Sequence, residues 1–183
     1  FYEKDGVEVT PEDIYAYVND TGVLPSTSAP NIGDFSEAFQ KWCAEGYEIV
    51  HFCISSDFSG SYQNACNAAA ETGGVEVVDT RNLSTGSGLV VLHGAELARQ
   101  GKSAAEIKAA CEAMTSRVEA SFVVDSIDYL HKGGRCSSVA ALGANLLRLK
   151  PLIEVIDGKM KAGKKYRGSI DKVILNYVAD KLR

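Results

Sequence analysis

The chain has 183 residues, 45% apolar and 23% charged, an ordinary globular composition with enough length to bury the core of one domain or two small ones. Its net charge of -5 and pI of about 5.2 argue against a nucleic-acid binder, whose footprint would be a basic surface. No apolar run approaches the roughly 20 residues of a membrane-spanning helix, and the opening Phe1-Tyr2-Glu3-Lys4-Asp5 has neither the basic start nor the apolar stretch of a signal peptide.

Thr10-Pro11-Glu12-Asp13 is a helix start, with a Thr cap, Pro in the first turn and two acids, and predicts a short helix over 11–18 ended by Asp20 and Gly22. After the polar loop Pro25-Ser26-Thr27-Ser28-Ala29-Pro30, residues 31–45 read as an amphipathic helix. Ile32, Phe35, Phe39 and Trp42 share one face, and Gly46 stands just past its end. Residues 48–54 read as a buried strand that runs into the loop Ser55-Ser56-Asp57-Phe58-Ser59-Gly60-Ser61-Tyr62, which opens a helix through about Glu71. Gly73-Gly74 stops that helix, and 75–79 is another strand.

Residues 86–99 are expected to be helical, and Ser103 with Glu106 forms a capping box for a helix at 104–117. The strand 121–124 follows, then the basic turn Lys132-Gly133-Gly134-Arg135, a helix through Leu147, and two strands flanking the hairpin signal Asp157-Gly158. In the last helix Ile170, Val173, Ile174, Tyr177, Val178 and Leu182 share a face. Alternating strands and helices predict an α/β protein with a parallel sheet. The hairpin suggests a division into a first α/β domain at 1–117 and a smaller one at 118–183.

Three Ser/Thr-rich loops lead into helices. The first carries Thr27-Ser28, the second Ser59-Gly60-Ser61 directly after a strand, and the third runs from Asn82 to Gly88. A helix start offers unpaired N–H groups and partial positive charge, and Gly60 would let an anion approach the backbone. Ligands of open α/β sheets sit beyond the C-terminal ends of strands. These loops therefore form a candidate carboxylate or phosphate cradle, although Ser and Thr before a helix are more often plain caps.

Enzyme signatures fail. Gly101-Lys102-Ser103 has Glu96 where a phosphate-binding loop needs its first Gly, and it reads as a helix cap. Ser59 has Asp57 two residues before it and Ser87 has Thr85, so neither sits on a nucleophile elbow. His51, His93 and His131 are far apart, and His51, within an apolar strand, reads as a core residue. Cys43, Cys53, Cys66, Cys111 and Cys136 are odd in number with no C-x-x-C spacing, so they read as small buried residues in a reducing cytosol, neither a disulfide framework nor a zinc site. Lys132, Arg135, Lys164, Lys165 and Arg167 give the second half a basic character, either a solvated surface or a patch for an anionic ligand or acidic partner.

Seven segments, taken in order, resemble the DegV family, fatty-acid-binding proteins that include the binding subunits of bacterial fatty acid kinase. They are P-S-T-S-A-P at 25–30, I-S-S-D-F-S-G-S-Y-Q at 54–63, V-D-T-R-N-L-S-T-G-S-G at 78–88, L-H-K-G-G-R at 130–135, L-L-R-L-K-P-L-I at 146–153, D-G-K at 157–159 and K-Y-R-G at 165–168. The resemblance implies a two-domain DegV-like fold with the ligand between the domains, and a non-catalytic, cytoplasmic carrier without a cofactor. Such a carrier binds a long-chain fatty acid such as palmitate and presents its carboxylate to a separate fatty acid kinase; transient membrane contact fits that role, and nucleic acid does not. The family's carboxylate-binding Thr and Ser match Thr27 and Ser59, with Ser28 and Gly60 completing the cradle. The family's Arg in K-x-R-G matches Arg167, implying a place near the head group or in docking the kinase.

Ala29 stands for the family's usual Gln and Ser61 for its usual Thr. The opening Asp-Ser-Thr strand and a C-terminal region with a His and a Gly-rich turn have no counterpart, so the chain is expected to be incomplete. Two other readings stay open: an enzyme acting on a small phosphorylated anion through the same cradle, and a regulatory interaction protein with incidental lipid.

Overall fold

A computed structural model describes residues 6–136 and 149–182. The expected helix through Leu147 lies outside the described residues. Local signals set most of the other boundaries. Helix α1 (Pro11–Thr21) starts at a closed capping box in which Thr10 accepts from the Asp13 N–H and the Asp13 carboxylate accepts from the Thr10 N–H at 2.9 Å. Helix α2 (Ile32–Ala44) is closed in the same way by Asn31 and Asp34, at 3.0 Å in both directions, a box that the expected start at residue 31 overlooks. Strand β1 (Ile49–Cys53), helix α3 (Ser61–Thr72) and strand β2 (Val75–Asp79) follow as expected. Helix α4 (Ser84–Arg99) begins two residues before the predicted start, and helix α5 (Ala104–Thr115) carries the Ser103–Glu106 box.

β1 and β2 pair in parallel, with Ile49 opposite Val75 and Cys53 opposite Asp79. Successive side chains alternate between faces, and both faces are covered. Ile49, Cys53, Val75 and Val77 pack with Phe39 of α2 and Ala65, Ala68 and Ala69 of α3. Val50, Phe52 and Val78 pack with Val90 of α4 and with Ile107 and Cys111 of α5. This explains why the strand at 48–54 reads as a near-continuous apolar run. His51 meets Phe35 and Phe39 edge-on, with ring centroids 5.2 and 5.3 Å away, and burial pushes its pKa below the usual imidazole value.

A second sheet is antiparallel, in the order β3 (Ala120–Val123), β4 (Leu149–Ile156), β5 (Lys159–Arg167). Between β3 and β4 lies a five-residue helix, α6 (Asp128–Lys132), too short to leave a periodic signal. Asp157 and Gly158 both have positive φ, +53° and +77°, as the two-residue hairpin signal demands. The ladder carries a bulge: from Pro151 to Ile153 the central strand advances two residues while β5 advances three, from Lys165 to Ala162. Pro151 has no N–H to give to a central strand, so a break in the ladder belongs there.

One face of this sheet buries Ile153 with Cys136, Phe122, Met160 and Ala162. The other buries Leu152 and Tyr166 against Val173 of helix α7 (Ile170–Lys181). The Tyr166 hydroxyl donates to Asp180 at 2.8 Å, and burial together with that carboxylate pushes its pKa up to about 12. The apolar face expected on α7 is only half used: Val173 is fully buried, whereas Leu182 is 83% exposed.

Candidate anion cradle at the open end of the parallel sheet

The loops that leave β1 and β2 lie side by side, because the parallel pairing brings both C-terminal strand ends to one edge. Their inner hydroxyls are structural. Ser55 and Thr80 are fully buried. Thr80 Oγ1 donates to the Cys53 carbonyl at 2.8 Å, and its backbone N–H donates to the same oxygen at 3.1 Å. Ser55 Oγ donates to the Gly158 carbonyl at 2.8 Å, tying the first loop to the β4–β5 turn. Asn82 pins the third loop, with Oδ1 accepting from the Leu83 N–H at 3.1 Å and Nδ2 donating to the Val118 carbonyl at 3.4 Å.

The outer hydroxyls are different. Ser59 is half-buried, and its Oγ accepts from the Ser61 N–H at 3.2 Å and lies 2.8 Å from the Ser61 hydroxyl. Gly60 takes the N-cap position of α3 and is exposed, it brings no side-chain cap, and the first turn carries no acid. Beyond the Ser61 N–H, which Ser59 takes, the first-turn N–H groups of α3 are left for solvent or a ligand, beside a hydroxyl that can donate. Thr27 and Ser28 are exposed, and their hydroxyls bond to no other described residue. Their segment is fastened to α3 by Asn64, whose Nδ2 donates to the Pro30 carbonyl at 2.8 Å. Thr27 stands three residues from that anchor, within about 10 Å of extended chain.

The structure thus ties Pro30, three residues after Thr27, to the helix that Ser59 and Gly60 open. Arg167 ends β5, and at about 3.3 Å per residue roughly 26 Å of strand separates it from Lys159, beside the turn that meets Ser55. The two helix starts differ in charge: α2 carries its own carboxylate, Asp34, in the first turn, whereas α3 carries none.

Next to the cradle lies an open cleft of about 320 Å³, lined by Asp57, Phe58, Gly134, Arg135, Lys159 and Met160. Arg81 and Lys159 flank Asp57 at 2.9 and 3.5 Å. The basic residues noted in the sequence are divided: Arg135 lines this cleft, whereas Lys164 pairs with Asp180. All five cysteines are free thiols, and burial pushes Cys53 up to about 11, keeping it protonated at neutral pH. Among the described residues, no group of three or more His, Cys, Asp or Glu side chains could hold a metal, and no helix is long and apolar enough to cross a membrane. Sequence reasoning missed Ser55, Asn64 and Arg81; each is an ordinary polar residue whose partner lies far along the chain.

A family model described as "Uncharacterised protein, DegV family" matches residues 2–181. The chain is 36% identical to a DegV domain-containing protein of Deinococcus radiodurans, over 90% of this chain and 59% of that protein. It is 34% identical to one of Clostridium acetobutylicum, over 96% and 64%. Among solved structures it superposes on a fatty-acid-binding DegV family protein from Thermus thermophilus, with a TM-score of 0.82 and 31% identity over 95% of this chain and 64% of that one. It also superposes on a stearic acid-binding protein from Eubacterium ventriosum, with a TM-score of 0.82 and 27% identity over 99% and 66%. The chain spans about three fifths of the length of these relatives.

Proposed function

The chain belongs to the DegV family, and from that premise we propose that it binds a long-chain fatty acid such as palmitate and presents the carboxylate to a separate fatty acid kinase. The observation that carries this reading is the acid-free start of α3, with Ser59 and Gly60 at its mouth and the loop of Thr27 and Ser28 tied to α3 through Pro30 and Asn64. The carboxylate would accept from the α3 N–H groups and from the Thr27, Ser28 and Ser59 hydroxyls, bonds to a charged acceptor that are stronger than neutral ones. The acyl chain would supply most of the affinity, at roughly 0.8 kcal/mol per buried CH₂ before ordering costs. The relatives with solved structures that are named for fatty acid binding support this ligand class.

In this reading the protein is a cytoplasmic carrier without cofactor or catalytic group of its own, and the kinase performs the chemistry. Its halves meet near residue 118, with the ligand head at their junction. Arg167, exposed and far along β5 from the cradle, suits docking of the kinase better than contact with the head group.

The test is titration of the full chain with palmitate. Thr27→Ala with Ser59→Ala is expected to weaken binding about tenfold or more, at about 1 kcal/mol per lost hydrogen bond and more when the partner is charged, with little change in Tm. Unchanged affinity would remove these residues from the site. No binding by the wild type would return the cradle to a different anion, such as a small phosphorylated compound.

A further inference from the structure

Building on the fatty-acid reading of the Ser59 loop, we propose that Arg81 is a positioning residue for the ligand, latching the β4–β5 turn onto the loop that carries Ser59 and Gly60. Arg81 follows β2 with φ at +52°, a conformation that a non-glycine residue adopts only when its surroundings hold it there. Its backbone N–H donates to Asp79 Oδ1 at 2.8 Å. The same carboxylate accepts from the Ser56 N–H at 3.3 Å, so Asp79 sets the two strand-end loops against each other. The guanidinium then spans two partners. Nη1 donates to Asp57 Oδ2 at 2.9 Å, two residues before Ser59, and Nη2 donates to the backbone carbonyl of Asp157 in the hairpin turn. Only a planar fork serves both acceptors at once.

Beneath the guanidinium, Ser55 makes the second fastening. Its Oγ donates to the Gly158 carbonyl and accepts from the Asp57 N–H at 3.3 Å, while its own carbonyl accepts from the Phe58 N–H at 2.9 Å. The turn comes so close that a Cβ on Gly158 would stand 2.6 Å from both Arg81 Cζ and Ser55 Oγ. Lys159, the next residue, pairs with the other oxygen of Asp57. Residues 55–58 are thus gripped from the second sheet immediately before the chain reaches Ser59. Arg81 belongs to none of the apolar clusters and its side chain is 38% exposed, so the fold does not depend on burying it.

The experiment compares the wild-type full chain with Arg81→Ala and Arg81→Lys by palmitate titration, thermal melting and hydrogen exchange at residues 56–62. Groups in one network couple strongly enough that Arg81→Ala is expected to weaken palmitate binding about tenfold. It should also speed exchange across the loop and leave Tm within a few degrees. Arg81→Lys should recover part of the affinity, because it keeps the Asp57 pair and loses the Asp157 bond. Unchanged affinity in Arg81→Ala, beside a wild type that binds, overturns the latch and leaves the fatty-acid reading standing. A wild type that binds no palmitate overturns that reading instead; exchange then decides the latch, and equal protection in both proteins overturns it. Should Arg81→Ala fail to fold, Asp57→Asn removes the same ion pair at constant shape. Reduced affinity and faster exchange support the latch there, and no change in either overturns it.

Discussion

Two neighbouring helices follow serine- and threonine-rich segments, and they begin in opposite ways. At α2, Asn31 and Asp34 satisfy the helix start from within, and the acid supplies the negative charge that the helix dipole favours. At α3 Ser59 takes one N–H, that of Ser61, Gly60 occupies the N-cap position, and no acid stands in the first turn. The hydroxyls look alike in the sequence, but only one helix start lacks a negative charge of its own. The difference teaches that a candidate cradle is marked by the charge a helix start leaves unsupplied, and serine and threonine content alone does not mark it.

That contrast can be broken most forcefully by Ser59→Asp. A carboxylate there would give the start of α3 the negative charge that Asp34 gives α2. The helix should gain a few tenths to about 1 kcal/mol, while palmitate binding should fall by on the order of a hundredfold through like-charge repulsion. Tm and affinity moving in opposite directions is the signature; retained affinity would place the carboxylate elsewhere.

The converse change, Asn31→Ala, sharpens the comparison with a smaller effect. Losing the α2 cap should cost about 1 kcal/mol of stability, read by denaturant titration, with palmitate affinity unchanged. An equal loss of affinity would mean that both helix starts serve the ligand.

The smallest expected effect concerns α5, which also caps itself. The Ser103 backbone N–H, with Lys102 beside it, holds the Glu106 carboxyl down at about 2, against its ordinary 4.5. A depressed carboxylate stabilises the fold fully above the ordinary value and loses that contribution as pH falls toward the depressed one. The gap in Tm between wild type and Glu106→Gln should therefore be present at about pH 6 and narrower at about pH 3. A gap that does not narrow would show that the ionised form has no part in the cap.

Much of the fold was legible in the sequence because caps, glycines and apolar spacing act locally. The Thr10 cap, the Ser103 box, the Gly73-Gly74 stop and the Asp157-Gly158 turn all stand where the residues put them. The spacing of Phe35, Phe39 and Trp42 identified the apolar face of α2, but not how far the neighbouring elements cover it. Phe39 is buried, whereas Trp42 remains 47% exposed and rests against Tyr47. The site divides along the same line. Ser59 and Gly60 announce themselves by following a strand and opening a helix. Arg81 and Asn64 draw their roles from carbonyls 76 and 34 residues distant, and no local pattern encodes such a partner.

The bulge in β5 works as a parity switch. Met160, Ala162 and Tyr166 are all even-numbered, yet the first two face Ile153 and the third faces Val173 on the opposite side of the sheet. The extra residue between Ala162 and Lys165 shifts the phase of the strand by one. Upstream of it the side chains answer to the half of the sheet that begins at the hairpin turn; downstream they answer to α7. Pairing residues 163 and 164 one by one with β4, with no residue removed, would turn the strand inside out from Lys165 onward, taking Tyr166 away from Asp180 and uncovering Val173. Losing the one extra residue would straighten the strand and keep both faces, so the ladder can shed that residue but cannot absorb it.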